Sequence, residues 1–257
     1  MRLRTTEFKI RAAASQQMSA IERKLYHAIV DRAAQSYIRA GRVAYHFARG
    51  KLRYDPAFAA ILARGLLPDG VRVADLGCGK GLLFALLIAA RAQYETGAWP
   101  DGWPPPPRSV SLLGIDLRRK AIRAADMAVG DRASVSVGDI RNTPIPERDA
   151  IVLLDVLHYL NAPDQEAVLA KCRAALTRDG VLLIRVGDPD ADLRFWITKI
   201  CDQIATAFRS GAWPRTHCRA LSEWTNLLER LDLRVRAEPM SAGTPYANVL
   251  LIARPRQ

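Results

Sequence analysis

The segment from Val71 to Gly81, which reads VRVADLGCGKG, constrains the fold more than any other part of the chain. It begins as a short apolar β-strand and continues into glycines at alternate positions. Glycine takes positive φ values without steric cost and lets a ligand approach bare main chain. A helix is predicted to begin near Lys80, directly after the turn. A strand, a glycine turn and a helix in this order predict an open α/β sheet that binds a nucleotide-like ligand at the turn.

The spacing of the glycines distinguishes two kinds of nucleotide site. Dinucleotide-binding enzymes use G-x-G-x-x-G, whereas this turn reads D-x-G-x-G-x-G from Asp75 onward. The turn resembles motif I of the class I S-adenosylmethionine (SAM) dependent methyltransferases. The resemblance implies that SAM binds against the main chain of four residues, Gly77, Cys78, Gly79 and Gly81. Asp75 ends the strand and is a candidate for the ammonium group of the cofactor.

Two further predicted strands end in acids that belong to the same edge of the sheet. The second strand is followed by Asp116 and Leu117, and a carboxylate in this place accepts hydrogen bonds from both ribose hydroxyls in nucleotide-binding folds. The third strand is followed by Asp139 and Ile140, which resemble the methyltransferase position that contacts adenine. For Asp139, capping of the next turn is the alternative.

The fourth strand ends at Asp155, a second candidate for the ammonium group. The segment after it resembles motif IV, which implies that it passes the methionine end of SAM and opens into the acceptor pocket. His158 is placed to accept a proton near neutral pH, and the alternative is a histidine that bonds only to main chain. Tyr159, His217 and Tyr246 are lesser candidates for the same pocket.

Alternating apolar and helical segments predict a doubly wound α/β fold. The first strand begins at Val71, and the next six cover residues 109–115, 133–137, 149–155, 181–186, 233–239 and 248–254. The last two pair as an antiparallel hairpin. We therefore predict a Rossmann-like class I methyltransferase fold with a mostly parallel seven-stranded sheet. Residues 1–66 form a helical N-terminal cap in this prediction, and residues 67–257 form the SAM-binding domain.

The cap is predicted to contain helices over residues 15–34 and 37–52, with Gly41 and Gly50 weakening or breaking the second one. A third helix starts at Asp55-Pro56, because Asp is a good N-cap and Pro suits the first turn. The resemblance implies that this cap covers the cofactor, and structural packing alone is the alternative.

Three further predictions concern single segments. The loop over residues 93–108 carries Trp99 and Trp103 and either packs on the surface or docks a partner or a lid. Residues 177–180 form a turn, Ser222 caps the helix over residues 223–231, and residues 192–208 form an amphipathic helix. That helix either packs on the core or lines an apolar acceptor pocket.

Charge and cysteine content limit the partners. The net charge is +12, and residues 1–72 carry 14 Lys/Arg against 5 Asp/Glu. Such a basic face attracts nucleic acid, an anionic membrane surface or an acidic carrier protein, or is simply solvated. The four cysteines form no C-x-x-C pair, so no metal site is predicted. No transmembrane segment is predicted, because the longest apolar run, residues 82–90, is too short. We expect a cytoplasmic protein.

Four motifs resemble a bacterial subgroup that accompanies gene sets for aryl polyene (xanthomonadin-type) pigments. They are YHFARGKL with the following DP, DVLHYL, RVGD and GTPYANV, at residues 45–56, 155–160, 185–188 and 243–249. The resemblance implies methylation of an aromatic or carrier-tethered acyl intermediate and an acyl carrier protein as partner. It also makes Arg185 and Asp188 pocket candidates.

Three rival functions stay open. An RNA methyltransferase would use the basic N-terminal face, but neither a D/N-P-P-Y/F/W motif nor a Pro-Cys nucleophile is present. Nucleic acid therefore ranks below a small molecule as substrate. A nicotinamide oxidoreductase disagrees with the glycine spacing, and a non-catalytic scaffold disagrees with the intact glycines and Asp116.

Overall fold

The computed structural model describes residues 18–187, 216–241 and 247–256. Its centre is a seven-stranded sheet with the order β3-β2-β1-β4-β5-β7-β6. The strands are β1 (Val71–Leu76), β2 (Ser109–Asp116), β3 (Ser134–Val137), β4 (Arg148–Leu154), β5 (Leu176–Gly187), β6 (Leu233–Pro239) and β7 (Asn248–Pro255). Strand β7 runs antiparallel to both of its neighbours, and the other pairs are parallel. The predicted Rossmann-like sheet with a C-terminal antiparallel hairpin is confirmed.

Helices cover both faces of this sheet. They are α1 (Ala20–Gln35), α2 (Arg42–Tyr54), α3 (Pro56–Ala63), α4 (Leu82–Glu95), α5 (Arg119–Val129), α6 (Ala162–Ala175) and, before β6, α7 (Leu221–Arg230). One hydrophobic core joins α1 to α4 with one face of the sheet, and a second core joins α6 and α7 with the other face. Because β1 to β5 are parallel, their carboxyl ends meet at one edge, where such folds bind ligands.

The N-terminal helices pack into the first of these cores. Tyr26 of α1 is buried, and its hydroxyl donates to the carbonyl oxygen of Leu52 at 2.7 Å. Both side chains share a core with Val73 of β1 and Val152 of β4. Described residues 18–66 are therefore helical and continuous with the sheet's core, and a domain boundary at residue 66 stays a prediction.

The two glycines of the second predicted helix behave differently. Gly41 has a φ of 103° and separates a 3-10 turn (Ile38–Ala40) from α2, as predicted. Gly50 lies inside α2, which continues to Tyr54, so the helix does not break there, and weakening of the helix by Gly50 stays a prediction. Asp55 caps α3 as predicted, because its Oδ1 accepts from the Ala57 amide at 3.1 Å.

Two local predictions are wrong. Residues 177–180 belong to β5 and not to a separate turn: Leu176 pairs with Arg148 and Val181 with Ala150, so the residues between them bulge from the ladder. Ser222 lies inside α7, whose N-cap is Ala220. The Glu223 carboxylate accepts from the Ala220 amide at 2.8 Å, which is the half of a capping box that needs no hydroxyl at the N-cap.

The tryptophan loop packs against α1. Trp103 is buried and donates from Nε1 to Glu22 Oε1 at 2.9 Å, and its ring centroid lies 6.1 Å from that of Tyr26. The Trp99 ring stands edge-on to the Trp103 ring at 5.9 Å. These contacts favour packing over partner docking as the role of the loop.

Several predictions fall outside the described residues. They concern the helix over residues 192–208 and the side chains of Asp188 and Tyr246. Within the part of the chain that the structure describes, no helix combines the length and apolarity that a membrane span needs.

Candidate functional site

The glycine turn takes the backbone conformation that its sequence predicts. The φ angles of Gly77, Gly79 and Gly81 are 81°, 58° and 72°. A Cβ atom at Gly77 would overlap the Val156 side chain, and one at Gly81 would lie 3.1 Å from the Ala125 Cβ. Two of the glycines are therefore required by the approach of the segment after β4 and of α5. The third, Gly79, lies under a side chain that is described below.

Main-chain hydrogen bonds tie the turn to the end of β2. The amides of Gly77 and Cys78 both donate to the Ile115 carbonyl oxygen, at 2.7 and 3.1 Å. The Gly79 amide donates to Asp116 Oδ2 at 2.8 Å. Asp116, the acid predicted to bind the ribose, thus lies directly beside the main chain of the turn.

Arg118 holds the carboxylate of Asp116. Its main-chain amide and Nε donate to Oδ1 at 2.8 and 3.0 Å, and its Nη2 donates to Oδ2 at 3.0 Å. Burial by itself would raise the pKa of Asp116, but the hydrogen bonds and the charge of Arg118 outweigh it and lower that pKa. Asp116 is therefore ionised at neutral pH.

The same acid–arginine arrangement recurs at the end of β3. The Arg141 amide donates to Asp139 Oδ1 at 2.9 Å, and its guanidinium pairs with the same carboxylate at 2.6 Å. Lys171 of α6 fixes this segment, since its Nζ donates to three carbonyl oxygens at 2.7 to 3.0 Å, those of Ile140, Arg141 and Thr143. Ile140 is buried, whereas Leu117 is 68% exposed. Sequence reasoning missed both arginines and the lysine.

Asp75 lies in the interior of the site. It is 5% exposed, and burial together with the charge of Asp116 raises its pKa to about 7. Tyr37, between α1 and α2, is also buried, and its hydroxyl donates to the Lys80 carbonyl oxygen at 2.8 Å. The chain before the sheet therefore contacts the glycine turn directly.

A buried ion-pair cluster lies at the ends of β4 and β5. Arg185 is 1% exposed; its Nε donates to Asp155 Oδ1 at 2.7 Å, and its Nη1 pairs with Asp55 Oδ1. Lys51 of α2 lies 2.9 Å from Asp55 and 3.6 Å from Asp155. Burial would raise the pKa of Asp155, but the charges of Arg185 and Lys51 outweigh it and hold that pKa well below its usual range. The cluster joins the start of α3 to the candidate site.

The ion pairs of this cluster limit what Asp155 and Arg185 can bind. Both carboxylate oxygens of Asp155 are held by Arg185, and Asp155 itself has a φ of 58°, an unusual value for a residue with a side chain. Arg185 is enclosed by the protein and does not open into a pocket. The prediction that it lines the acceptor pocket requires contact with the acceptor, and its burial disagrees with that contact.

The three predicted catalytic residues come together after β4. The His217 amide donates to the His158 carbonyl oxygen at 2.8 Å, and the rings of His158 and Tyr159 lie 4.1 Å apart. Gln165 of α6 is fully buried and joins these segments, because its Nε2 lies 2.8 Å from the His217 carbonyl oxygen and 3.1 Å from that of Leu157.

Comparison with known proteins concerns the family and the fold. Residues 74–182 match the model of a methyltransferase domain family. The chain is 29% identical over 146 residues to carboxy-S-adenosyl-L-methionine synthase of Chromohalobacter salexigens, covering 54% of this chain and 49% of the relative. It is 26% identical over 129 residues to the same enzyme of Haemophilus ducreyi, covering 48% and 47%. The chain thus spans about half the length of the curated relatives that it matches.

Solved structures extend the likeness over most of the chain. Human N-acetylserotonin methyltransferase in complex with SAM has a TM-score of 0.57 at 15% identity, over 91% of this chain and 59% of that one. Magnesium protoporphyrin IX methyltransferase of Synechocystis, solved with S-adenosylhomocysteine (SAH), has a TM-score of 0.54 at 17% identity, over 90% and 98%. The chain therefore has the fold of the class I SAM-dependent methyltransferases, and residues 74–182 are similar to a methyltransferase domain family.

Proposed function

We propose that this protein is an enzyme that transfers a methyl group from SAM to a small-molecule acceptor. One observation carries the proposal: the Gly79 amide and the Asp116 carboxylate lie 2.8 Å apart at the carboxyl edge of the sheet. Bare main chain beside a buried carboxylate is what the amino acid part and the ribose of SAM require. The methyltransferase domain match includes both residues.

Each part of the cofactor has a proposed partner. The main chain from Gly77 to Gly81, with Cys78, holds the methionine part, and Asp116 with Leu117 holds the ribose. Asp139 and Ile140 hold the adenine. Asp75 is the first choice for the ammonium group, because its buried carboxyl ionises more readily once a cation lies beside it. Asp155 is the second choice, since Arg185 already engages both of its oxygens.

The protein's own contribution to the reaction is positioning and proton transfer. When bound, SAM supplies an electrophilic methyl carbon with a good leaving group. The residues after β4 orient the acceptor in line with that carbon and exclude water, which lowers the entropic barrier. His158 accepts the proton of the acceptor hydroxyl, and Tyr159 and His217 line the same place. The main-chain bond between His217 and His158 supports this grouping.

For the acceptor we propose an aromatic or carrier-tethered acyl compound, and an acyl carrier protein as partner. The resemblance of four sequence motifs supports the class of acceptor, and the net charge of +12 supports an acidic partner. Methylation of RNA through the basic N-terminal face is the alternative. A scaffold without activity is the second alternative, and it requires that the glycine turn bind no cofactor.

A second candidate function comes from the curated relatives. Both are carboxy-S-adenosyl-L-methionine synthases, and the matches cover about half of this chain. In that case the methyl carbon of SAM would lose a proton and gain a carboxyl group from a second substrate, a carboxylic acid that gives up CO2 and takes up the proton. The two functions differ in the product, because the first leaves SAH and the second leaves a heavier SAM derivative.

Two measurements test the proposal. Calorimetric titration with SAM, SAH and NAD should show binding of the first two and no binding of NAD. Incubation with methyl-labelled SAM and hydroxylated aryl acids, free or loaded on an acyl carrier protein, should then yield labelled acceptor and SAH by mass spectrometry. In a parallel incubation with a small-molecule cell extract as the source of a carboxyl donor, carboxylated SAM in place of SAH would favour the second candidate. Absence of SAM and SAH binding would overturn both functions and favour a scaffold.

A further inference from the structure

We propose that Arg118 competes with the cofactor for Asp116 and thereby lowers cofactor affinity. The inference rests on the proposed function, in which the Asp116 carboxylate binds the ribose hydroxyls. In this structure the Arg118 guanidinium occupies the acceptor positions that those hydroxyls would use. Cofactor binding therefore requires that one set of donors replace another on the same two oxygens.

The hydrogen bonds of Asp116 show why the two partners exclude each other. Oδ1 accepts from the amide and Nε of Arg118, at 2.8 and 3.0 Å, and Oδ2 accepts from Arg118 Nη2 and from the Gly79 amide, at 3.0 and 2.8 Å. Each oxygen thus has two donors, which is the number that its lone pairs favour. A ribose hydroxyl on either oxygen displaces a side-chain donor of Arg118, because the main-chain donors are fixed by the turn.

The guanidinium also covers the glycine turn. A Cβ atom built on Gly79 would lie 3.3 Å from Arg118 Nη2, so the side chain lies across the bare main chain that the cofactor needs to approach. The Arg118 side chain is nevertheless 53% exposed, whereas that of Asp116 is 5% exposed. The arginine can therefore move into solvent while the carboxylate stays in place.

The Arg118 side chain does not cap the helix that it begins. Arg118 is the N-cap of α5, and Arg119 and Lys120 follow it. Ser, Thr, Asp and Asn are preferred at an N-cap, and the helix dipole disfavours positive charge there. The charge of Arg118 is instead compensated by Asp116, whose bonds raise the pKa of the guanidinium. The arginine is accounted for by its effect on this carboxylate.

Competition makes a prediction about salt. The Arg118–Asp116 pair is half-exposed, so added salt weakens it. SAH carries no net charge at neutral pH, and its proposed ionic contact, that of its ammonium group with Asp75, is buried and therefore weakly screened by salt. Salt should therefore tighten SAH binding, the opposite of the usual effect on an electrostatic complex.

The experiment is calorimetric titration of the full chain with SAH at low and high NaCl concentration. Arg118→Ala should tighten binding by about two- to fivefold, the range expected from losing a partly exposed ion pair. Salt should tighten binding to the wild type and leave Arg118→Ala unchanged. Arg108→Ala is the matched control, because Arg108 forms a similar pair with Asp69 at the opposite edge of the sheet. Thermal melts check that each variant is folded. The SAH affinity of Arg118→Lys should lie between those of the wild type and Arg118→Ala, because lysine cannot form the bidentate pair with Asp116.

Two results would overturn the inference without affecting the proposed function. If Arg118→Ala binds SAH more weakly than the wild type, the arginine is a cofactor ligand and not a competitor. If its affinity equals that of Arg108→Ala, the pair has no effect on binding. If no protein binds SAH or SAM, the proposed function itself fails, and the competition fails with it.

Discussion

Asp55 and Arg185 form an ion pair between the start of helix α3 and the end of strand β5, and both side chains are buried. The same carboxylate caps α3 through the Ala57 amide. One aspartate therefore both begins a helix and attaches it to the edge of the sheet where the candidate site lies. The helical region before the sheet is fixed to the site by charge as well as by apolar packing.

Replacement of Arg185 tests this attachment. Arg185→Met leaves Asp55 and Asp155 with Lys51 as their remaining cation in the cluster. The free energy of unfolding should fall by about 3–5 kcal/mol, because breaking a buried pair leaves uncompensated charge. Urea unfolding measures the change. Asp69→Ala, which breaks an exposed pair with Arg108, should lower the free energy of unfolding far less, because solvent screens that pair. Equal costs for the two variants would contradict the role given to the cluster.

The buried carboxyl of Asp75 predicts a pH dependence of stability. Its pKa is about 7 in the folded protein, against an ordinary value of 3.8. Between these values the unfolded chain has lost the proton and the folded chain keeps it, so stability falls as pH rises from about 4 to about 7 and then levels off. Asp75→Asn removes this loss and should be more stable than wild type at pH 8, by up to about 4 kcal/mol.

The measurement for Asp75 is urea unfolding of wild type and Asp75→Asn at acidic and alkaline pH. The difference between the two proteins should shrink toward zero near pH 4. Asp126→Asn, on the exposed surface of α5, serves as the control and should track the wild type. A stability difference that stays constant with pH would show that Asp75 does not titrate in this range.

Gly77 and Gly50 differ in backbone conformation and in the space around them, so alanine should have opposite effects at the two positions. Gly77 has positive φ, and a Cβ atom there would overlap Val156, whereas Gly50 lies inside α2 with open space around it. Gly77→Ala should destabilise the protein by about 1–3 kcal/mol and weaken SAH binding. Gly50→Ala should stabilise it by about 0.5–1 kcal/mol. Addition of Val156→Ala should recover part of the stability lost in Gly77→Ala. Thermal melting measures the stability of each variant. A change of the same sign in Gly77→Ala and Gly50→Ala would contradict this prediction.

Gln165 is predicted to act on turnover through the segments that carry the histidines. It donates to carbonyl oxygens on both segments, and its Oε1 accepts from Arg219 Nε at 2.7 Å. Gln165→Leu should lower turnover by about ten- to a hundredfold through misplacement of His158, and should leave SAH affinity unchanged. Gln93→Leu is the control, because Gln93 is also buried in a helix and donates to a carbonyl oxygen, that of Ala98. Equal turnover in the two variants would remove the role of Gln165.

The positions of the strands along the chain and the glycine turn could be predicted because their signals are local. Apolar runs, alternate glycines and an Asp-Pro helix start each lie within a few residues. Ser222 and residues 177–180 were misassigned for the opposite reason. A cap formed by Glu223 from inside the helix and a bulge in a paired strand depend on partners that composition does not show.

The electrostatics of the site could not be predicted from the same signals. The pair of Asp55 and Arg185 joins residues that are 130 positions apart, and nothing in either segment indicates the other. Arg118 and Arg141 are close in sequence to the acids that they hold. The side chain of an arginine two residues after an acid can adopt many rotamers, so the sequence does not show whether the arginine binds that acid.

The affinity of SAH for three proteins tests the central claim most directly. Calorimetry on wild type, Asp116→Asn and His158→Ala should give tight binding for the first and the third. Asp116→Asn should bind about 10- to 100-fold more weakly, because it loses hydrogen bonds to a charged acceptor. His158→Ala should bind normally and only turn over more slowly. Equal SAH affinity for wild type and Asp116→Asn would contradict the claim that Asp116 and the glycine turn form the cofactor site.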